Sequence, residues 1–577
     1  MSFRCYSIIL FYLLAQNACY VRTAAQTNPF QFPAKRYPSG TYVHPVSFPI
    51  SLAGNFGECR PDHFHSGIDI RTRQIENQLI YAIQEGYVSR IKIEAGGFGN
   101  AIYITQPDGY TTVYAHLNRF MPALESYVHE QQYKTKSWKI DLMLSPTLFP
   151  VKQGQFIAWS GNTGSSEGPH LHLEIRDTKS ENPLNPLLFF SDIEDHENPK
   201  IQQVALYDAH KSIYEQDPLF VSYAHRHRLF RRQHKIITIE SDKVYLGIEA
   251  DDYMKGALGT LGVYEMLMTV DQQPSFAWQL DNISYDSTRY MNAHADYKIR
   301  KQGGKWIQLC HALPNDKLNI YQDVLHQKGC IDLSDGAVHT VSLIVRDVKG
   351  NADHVRLHLK GKRVPSSEPC QQKWEAGTPH TEQQESIKLS LDKSSLYDHL
   401  CFRADLENRP QPYAEVFHVH EAYVPVHTSF LLQLQPSQRI PLSLQNKLVI
   451  QHQSYGRSKS PWAKAASYQN GRVQAKVREF GAYKILPDTI APSIRTSFRD
   501  GDIITHCDYI DFEIKDELSS VKQCTLLVDE QWLRLVQKGD VFYYELDSYF
   551  PAGTHRVVIK AIDENDNVAS RTFTFVR

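Results

Sequence analysis

No apolar run in this 577-residue chain is long enough to cross a bilayer, because a helical span takes about 20 consecutive apolar residues. A surplus of positive charge is missing as well. The 62 Lys and Arg against 64 Asp and Glu give a formal charge of −2, which argues against nucleic-acid binding, since that demands a basic face. The zinc motif His-Glu-x-x-His is absent: His129-Glu130, His196-Glu197 and His420-Glu421 have no histidine three residues beyond the glutamate. Cysteine is scarce, nine in all, which rules out a disulfide-dense scaffold.

The N-terminus supplies the first positive signal. Arg4, the short apolar Ile8-Ile9-Leu10-Phe11-Tyr12-Leu13-Leu14 and Thr23-Ala24-Ala25 follow the positive, apolar and small-residue order of a secretory signal. Residues 1–25 are therefore expected to be removed, leaving a secreted or periplasmic protein without a transmembrane helix. Gln16-Asn17-Ala18 makes a poor lipobox ahead of Cys19, which argues against a lipid anchor. Loss of the signal takes Cys5 and Cys19 with it. In an oxidising compartment Cys310/Cys330, Cys370/Cys401 and Cys507/Cys524 are candidates to pair, although spacing does not fix connectivity. Cys59 is then odd, and is expected to be a small buried apolar side chain, since no motif makes it a metal ligand.

Four histidines and one aspartate stand out between residues 65 and 172. His65-Ser66-Gly67-Ile68-Asp69 supplies His-x-x-x-Asp, Tyr114-Ala115-His116-Leu117 a lone histidine, and Pro169-His170-Leu171-His172-Leu173 a His-x-His. Zinc takes imidazole nitrogen at roughly 2.0–2.1 Å and carboxylate oxygen at similar range, and a catalytic site keeps three protein ligands and one open position. Five candidates for three places leave two histidines for proton transfer. Side chains alternate along a strand, so His170 and His172 point to one side and Leu171 and Leu173 to the other. Asn100–Ile104 and Tyr110–His116 are β-branched and aromatic runs joined through Pro107-Asp108-Gly109, a hairpin that predicts His116 on the same face as Tyr114.

These segments resemble, in order, the three signatures of LytM/lysostaphin-type zinc metallopeptidases, the beta-lytic or duplicated-hybrid-motif family. Phe64-His65-Ser66-Gly67-Ile68-Asp69-Ile70 is the first and Tyr114-Ala115-His116-Leu117 the second. Gly161-Asn162-Thr163-Gly164, followed by Gly168-Pro169-His170-Leu171-His172-Leu173-Glu174, is the third. The resemblance covers about residues 40–190, roughly a quarter of the chain. It implies that His65, Asp69 and His172 ligate zinc, that His116 and His170 flank the open position, and that the substrate is a peptidoglycan stem peptide. Two neutral imidazoles and one carboxylate leave such an ion positive, which lowers the pKa of a bound water toward about 7 and polarises a scissile carbonyl. One of His116 and His170 then handles the proton while the other hydrogen-bonds the oxyanion.

The individual patterns are weak and their order is strong. His-x-His also occurs at His63/His65, His225/His227 and His418/His420, in a chain with 26 histidines. Gly164-Ser165-Ser166-Glu167-Gly168 fits G-x-S-x-G, but a nucleophile elbow opens a helix, and here Pro169 and a strand-like run follow. A tight turn presenting the histidines is expected instead. The connection between Leu117 and Val151 is longer than the family's usual one and is expected to form a wall or lid on the substrate groove.

Beyond residue 195 short alternating strands are broken by Gly, Asn, Asp and Pro, which points to β-sandwich modules. The expected fold class is mainly β. A zinc metallopeptidase domain on an antiparallel sheet takes 26–195, an Ig-like β-sandwich with insertions 196–364, a Pro-, Gln- and Glu-rich linker 365–385, a β-rich module 386–486 and a C-terminal Ig-like β-sandwich 487–577. His339-x-Val341-x-Leu343-x-Val345-x-Asp347-x-x-x-Asn351 recurs as His555-x-Val557-x-Ile559-x-Ala561-x-Asp563-x-x-x-Asn567, a strand followed by an Asp-to-Asn turn. Turn capping accounts for that pair, since one Asp and one Asn do not make a calcium site. The function expected from the resemblance is a secreted zinc endopeptidase acting on peptidoglycan crosslinks or stem peptides, with the modules positioning it or binding wall or envelope proteins. Two alternatives are a non-catalytic scaffold regulating other wall hydrolases, which predicts a damaged ligand set, and a metalloprotease acting on a Gly- or Ala-rich secreted protein.

Overall fold

The computed structural model describes residues 30, 32, 37–223, 235–362, 370–408, 415–453 and 461–577. The expected signal peptide and the His225/His227 pair lie outside them. The fold is mainly β. Its N-terminal part centres on a sheet in which neighbouring strands run Leu52–Gly54, Ile68–Arg71, His170–Asp177, Tyr110–Ala115, Asn100–Thr105, Gly86–Ile93 and Ile140–Met143. Every pairing along it is antiparallel.

Burial alternates as the sequence pattern requires. Ile68, Ile70, Leu171, Leu173 and Ile175 are wholly buried in one core with Tyr114, and each such aliphatic side chain contributes roughly 1.5–3 kcal/mol. The strands are held in the register Ile70 opposite Leu171 and Ile68 opposite Leu173. A slip by one residue would turn these into the histidine face and the histidines into the core, so apolar burial aligns the polar face.

The long connection after Leu117 is a strand, Leu117–Phe120, a helix, Pro122–Thr135, and the edge strand Ile140–Met143. Pro122 opens the helix, where its missing N–H costs nothing, and Lys136 ends it in the left-handed region. Tyr133 stacks on Tyr549 with ring centroids 3.8 Å apart and meets Trp532 edge-on at 5.5 Å. The segment expected to be a wall or lid is thus the seat of the C-terminal module, because its helix turns aromatic surface toward Tyr549 and Trp532. A cleft lined by Asn118, Arg119 and Thr163 on one side and Arg534 and Glu545 on the other runs along that junction.

The remaining modules are layered sheets. A five-stranded and a six-stranded sheet follow, then a nine-stranded sheet, then two four-stranded sheets. One continuous core runs from Phe56 and Phe64 through Trp278 and Leu309 to Leu432 and Ile485, so the second and third modules are fused rather than strung on a linker. The stretch expected as a linker, 365–385, holds strands Lys373–Trp374 and His380–Gln383. In the latter only Glu382 is buried, which is why its composition looks like that of a loop. Cys370 is disulfide-bonded to Cys401, anchoring this start, with Cα atoms 5.6 Å apart. The other candidate pairs are not bonded: Cys310, Cys330, Cys507 and Cys524 are free thiols, as is Cys59. Nearness in sequence does not impose the Cβ geometry that a disulfide requires.

Candidate active site

Asp69 and His172 are opposite residues on adjacent strands, and His65 reaches them from the loop preceding Ile68–Arg71. Gly67 makes that loop feasible: a Cβ there would meet the Leu173 carbonyl oxygen at 2.3 Å. His65 Nε2 lies 3.1 Å from Asp69 Oδ1 and 3.1 Å from His172 Nδ1, and His172 Nδ1 lies 2.9 Å from Asp69 Oδ1. Tetrahedral zinc with bonds of about 2.0–2.1 Å separates its ligand atoms by about 3.3–3.4 Å, so the triangle is close to the size the ion needs.

The outer hydrogen bonds decide which nitrogens carry protons. His65 Nδ1–H donates to the Asn55 carbonyl oxygen at 2.7 Å, since a carbonyl can only accept. His172 Nε2–H donates to Glu174 Oε1 at 3.1 Å. With both rings neutral, His65 Nε2 and His172 Nδ1 turn lone pairs toward Asp69, and three acceptors converge. That donor set fits a cation. Burial pulls the Asp69 carboxyl upward, but His65, His170 and His172 outweigh it and hold it well below the usual carboxylate range. For His172 burial favours the neutral ring, yet Asp69 and Glu174 carry it up to about 9, so the cluster draws positive charge. Arg60 adds its guanidinium 3.5 Å from Asp69 Oδ2.

His116 and His170 stand beside this group with ring centroids 4.8 Å apart. His116 Nδ1–H donates to the Thr163 carbonyl at 2.8 Å, and His170 Nδ1–H to the Gly168 carbonyl at 2.8 Å. Both rings thereby turn Nε2 away from their anchors, and His170 Nε2 comes 3.4 Å from Asp69 Oδ1. Burial first, then His172 and His170, lowers the His116 imidazole to about 3. The five residues singled out in the sequence converge. Ser166 lies in the turn before the strand His170–Asp177, its hydroxyl bonded to the Gly168 carbonyl at 2.8 Å, so it presents histidines.

Residues 63–133 match peptidase family M23 and residues 372–488 the Zu5-like domain. The lipoprotein NlpD of Yersinia enterocolitica is 35% identical over 111 residues, covering 19% of this chain and 90% of that protein. The chain belongs to peptidase family M23. An uncharacterized metalloprotease of Haemophilus influenzae is 32% identical to this M23 chain over 164 residues, 28% of the chain and 25% of that protein. The DD-carboxypeptidase/endopeptidase Mpg of Neisseria meningitidis is 32% identical over 123 residues, 21% of the chain and 22% of that protein. The M23 chain thus spans about a quarter of the length of these two relatives.

One expectation about the M23 site is corrected. His116 does not share the face of Tyr114, which lies in the core with Leu173. It sits just past the strand Tyr110–Ala115 with a φ of 59°, and this left-handed residue breaks the two-residue alternation and swings the ring to His170. Cys59 stays outside the group of His65, Asp69 and His172 that could hold a metal ion, and burial holds its thiol up at about 12. Sequence reasoning missed three supports of the M23 site: Asn55, Glu174 and Tyr285. Glu174 is wholly buried; burial would raise it, but Arg176 and His172 outweigh this and hold it at about 2. It accepts from Arg176 Nε at 2.6 Å, from Ser66 Oγ and from the Tyr285 hydroxyl at 2.6 Å. Glu174 was legible two residues beyond His172 on the same strand face; Tyr285 carried no signal at all.

Proposed function

We propose that this protein is a secreted zinc endopeptidase that hydrolyses peptide bonds in peptidoglycan crosslinks or stem peptides. The observation that carries the reading is the convergence of His65 Nε2, His172 Nδ1 and the Asp69 carboxylate within 3.1 Å of one another. His65, Asp69 and His172 would hold the zinc. Bound there, zinc supplies Lewis-acid polarisation of a carbonyl and acidification of water.

The rest of the chemistry belongs to the chain. With its Nδ1 proton tied to the Thr163 carbonyl, His116 offers Nε2 as the acceptor for the proton of an attacking water and hands it on to the departing amine. His170, its ring centroid 4.8 Å from that of His116 and its Nδ1–H held by the Gly168 carbonyl, would steady the oxyanion through Nε2–H when its imidazole is protonated. Glu174 fixes the ring of His172, and Asn55 that of His65. The name of the Neisseria relative, a DD-carboxypeptidase/endopeptidase, supports a peptidoglycan substrate.

The test is mass spectrometry of fragments released from purified sacculi by residues 26–577, with and without a chelator, beside a Gly- or Ala-rich protein. Chelator-sensitive release of muropeptides cleaved at a peptide bond is expected. Intact sacculi with a degraded protein control would overturn the substrate, and release that persists in the chelator would overturn the metal.

A further inference from the structure

Two carboxylate trios outside the active site, the first wholly buried and the second buried except for the half-buried Asp516, occupy equivalent places in two different modules. Asp195, Asp252 and Asp347 offer oxygens that all lie within 4.8 Å of one another, and so do Asp488, Asp516 and Asp563. Each trio is assembled in the same way. Asp195 and Asp488 precede the strands Lys200–Asp208 and Ser493–Arg495 in the matching pattern Asp-x-x-x-Pro-x-Ile, ending at Ile201 and Ile494. Asp252 and Asp516 immediately follow the strands Lys243–Asp251 and Tyr509–Lys515, which pair antiparallel with those first strands. Asp347 follows Val338–Arg346 and Asp563 ends Thr554–Asp563, each at the head of the repeated Asp-to-Asn turn.

Turn capping accounts for the third member of each trio and for one oxygen each of Asp195 and Asp516, which accept from Glu197 N–H at 3.0 Å and from Ser519 N–H at 2.7 Å. The Asn351 backbone N–H and Nδ2 donate to Asp347 at 2.8 and 2.7 Å, and those of Asn567 to Asp563 at 2.8 and 2.8 Å. It does not explain why one carboxylate oxygen in each trio is buried without any hydrogen-bond partner. Asp252 is only 3% exposed, and its Oδ1 is a buried oxygen with no hydrogen-bond partner. Asp516 Oδ2, at the equivalent place, is another. Among the described residues no Lys or Arg forms an ion pair with any of the six. The nearby ammonium groups are engaged elsewhere: Lys349 donates to the Phe190 carbonyl at 3.1 Å and Lys447 to the Asn565 carbonyl at 2.6 Å. Burial, and then Asp347 and Asp195, push the Asp252 carboxyl up to about 8, as like charges without a counter-cation must.

We propose that each trio is a calcium site, one at the head of the second module and one at the head of the last. The donors are all oxygen, which selects a hard cation over zinc. Three carboxylates brought together from three separate strand ends suit the flexible coordination of calcium better than the near-ideal octahedron of magnesium. Asp195 lies where the chain leaves the M23 domain, and Asn351 Nδ2 donates to its carbonyl at 3.1 Å. Calcium there pins the module that carries Tyr285 to Glu174. The second site pins the entry of the last module, where Asn567 Nδ2 donates to the Asp488 carbonyl at 3.1 Å.

The test strips the full chain of metal and titrates calcium chloride by calorimetry, with thermal unfolding followed in parallel. Two calcium ions per chain are expected, with Kd near the roughly 10⁻⁴–10⁻³ M of extracellular modules and a Tm that rises with calcium. Asp252→Asn and Asp516→Asn each remove one ion, and together both. Asparagine keeps the shape and relieves the like-charge repulsion, so the metal-free variants should fold. Terbium luminescence of the wild-type chain, displaced by calcium, is a readout that needs no variant. No displaceable terbium signal, uptake unchanged by both substitutions, or an equal response to magnesium would overturn the assignment. So would a calcium-independent Tm that Asp252→Asn raises, which would make the trio a proton-sharing cluster.

Discussion

Tyr285 of the second module donates its hydroxyl proton to Glu174 Oε1 of the M23 domain at 2.6 Å, across 111 residues of sequence. Glu174 in turn accepts from His172 Nε2 at 3.1 Å, so a residue outside the M23 domain helps to orient the ring proposed to hold the metal. Tyr285→Phe should weaken zinc binding by about 10–100-fold, the usual effect of losing such an outer partner, measured by competition with a chromophoric chelator. A fall in Tm with unchanged zinc affinity would mean that the contact only joins modules.

The five convergent residues divide into two groups by what their loss should do. His65→Ala and Asp69→Ala should lose bound zinc, seen by elemental analysis of the purified protein. His116→Ala should keep the metal and lose turnover by about 10²–10⁴-fold, the range for general acid–base catalysis. Equal metal loss in all three variants would refute the division.

Gly67→Ala should disturb the site without touching a functional side chain. Its Cβ would sit 2.3 Å from a backbone oxygen that cannot swing aside. A cost of about 1–3 kcal/mol is expected from overpacking, together with weaker zinc binding as His65 moves away from Asp69. A wild-type denaturation midpoint would show that the loop relaxes freely.

Stability should fall in mild acid because of two histidines in the second module. Burial lowers His294 to about 3 and His311 to about 4, below the ordinary 6.5 that they regain on unfolding. Between those limits the unfolded chain binds protons that the native chain does not. Stability is therefore full above pH 6.5 and is lost as pH falls, by up to about 1.4 kcal/mol per pH unit for each ring. Urea midpoints at a series of pH values check this, and His311→Gln should reduce the slope; midpoints independent of pH would contradict it.

Tyr133→Ala should loosen the last module from the M23 domain. The stack on Tyr549 and the edge contact with Trp532 are each worth about 0.5–1.5 kcal/mol beyond the area they bury. Faster proteolysis between the modules is expected, with zinc binding unchanged. Proteolysis at the wild-type rate would show that other contacts hold the module.

Much of the site was legible because it is written locally. His170 and His172 share a face by strand alternation, and Gly67 between His65 and Asp69 marks a close approach of backbone. The insertion after Leu117 was visible as extra length, but its task depends on Tyr549 and Trp532, more than 380 residues away. The stretch 365–385 misled because polar residues on an exposed strand edge have the composition of a linker.

The sequence by itself determined the mainly β fold, the alternation that separates the apolar face from the histidine face, and which five residues would be found together. Each of these depends on neighbours a few positions apart, where chain geometry leaves little freedom. Only the tertiary structure decided that His116 crosses to the other face of the sheet, that Cys370 bonds its partner Cys401 while the other candidate pairs stay reduced, that Tyr285 reaches Glu174, and that two carboxylate trios form. Those outcomes depend on which distant surfaces meet, and contacts of long sequence separation leave no periodic trace in the chain.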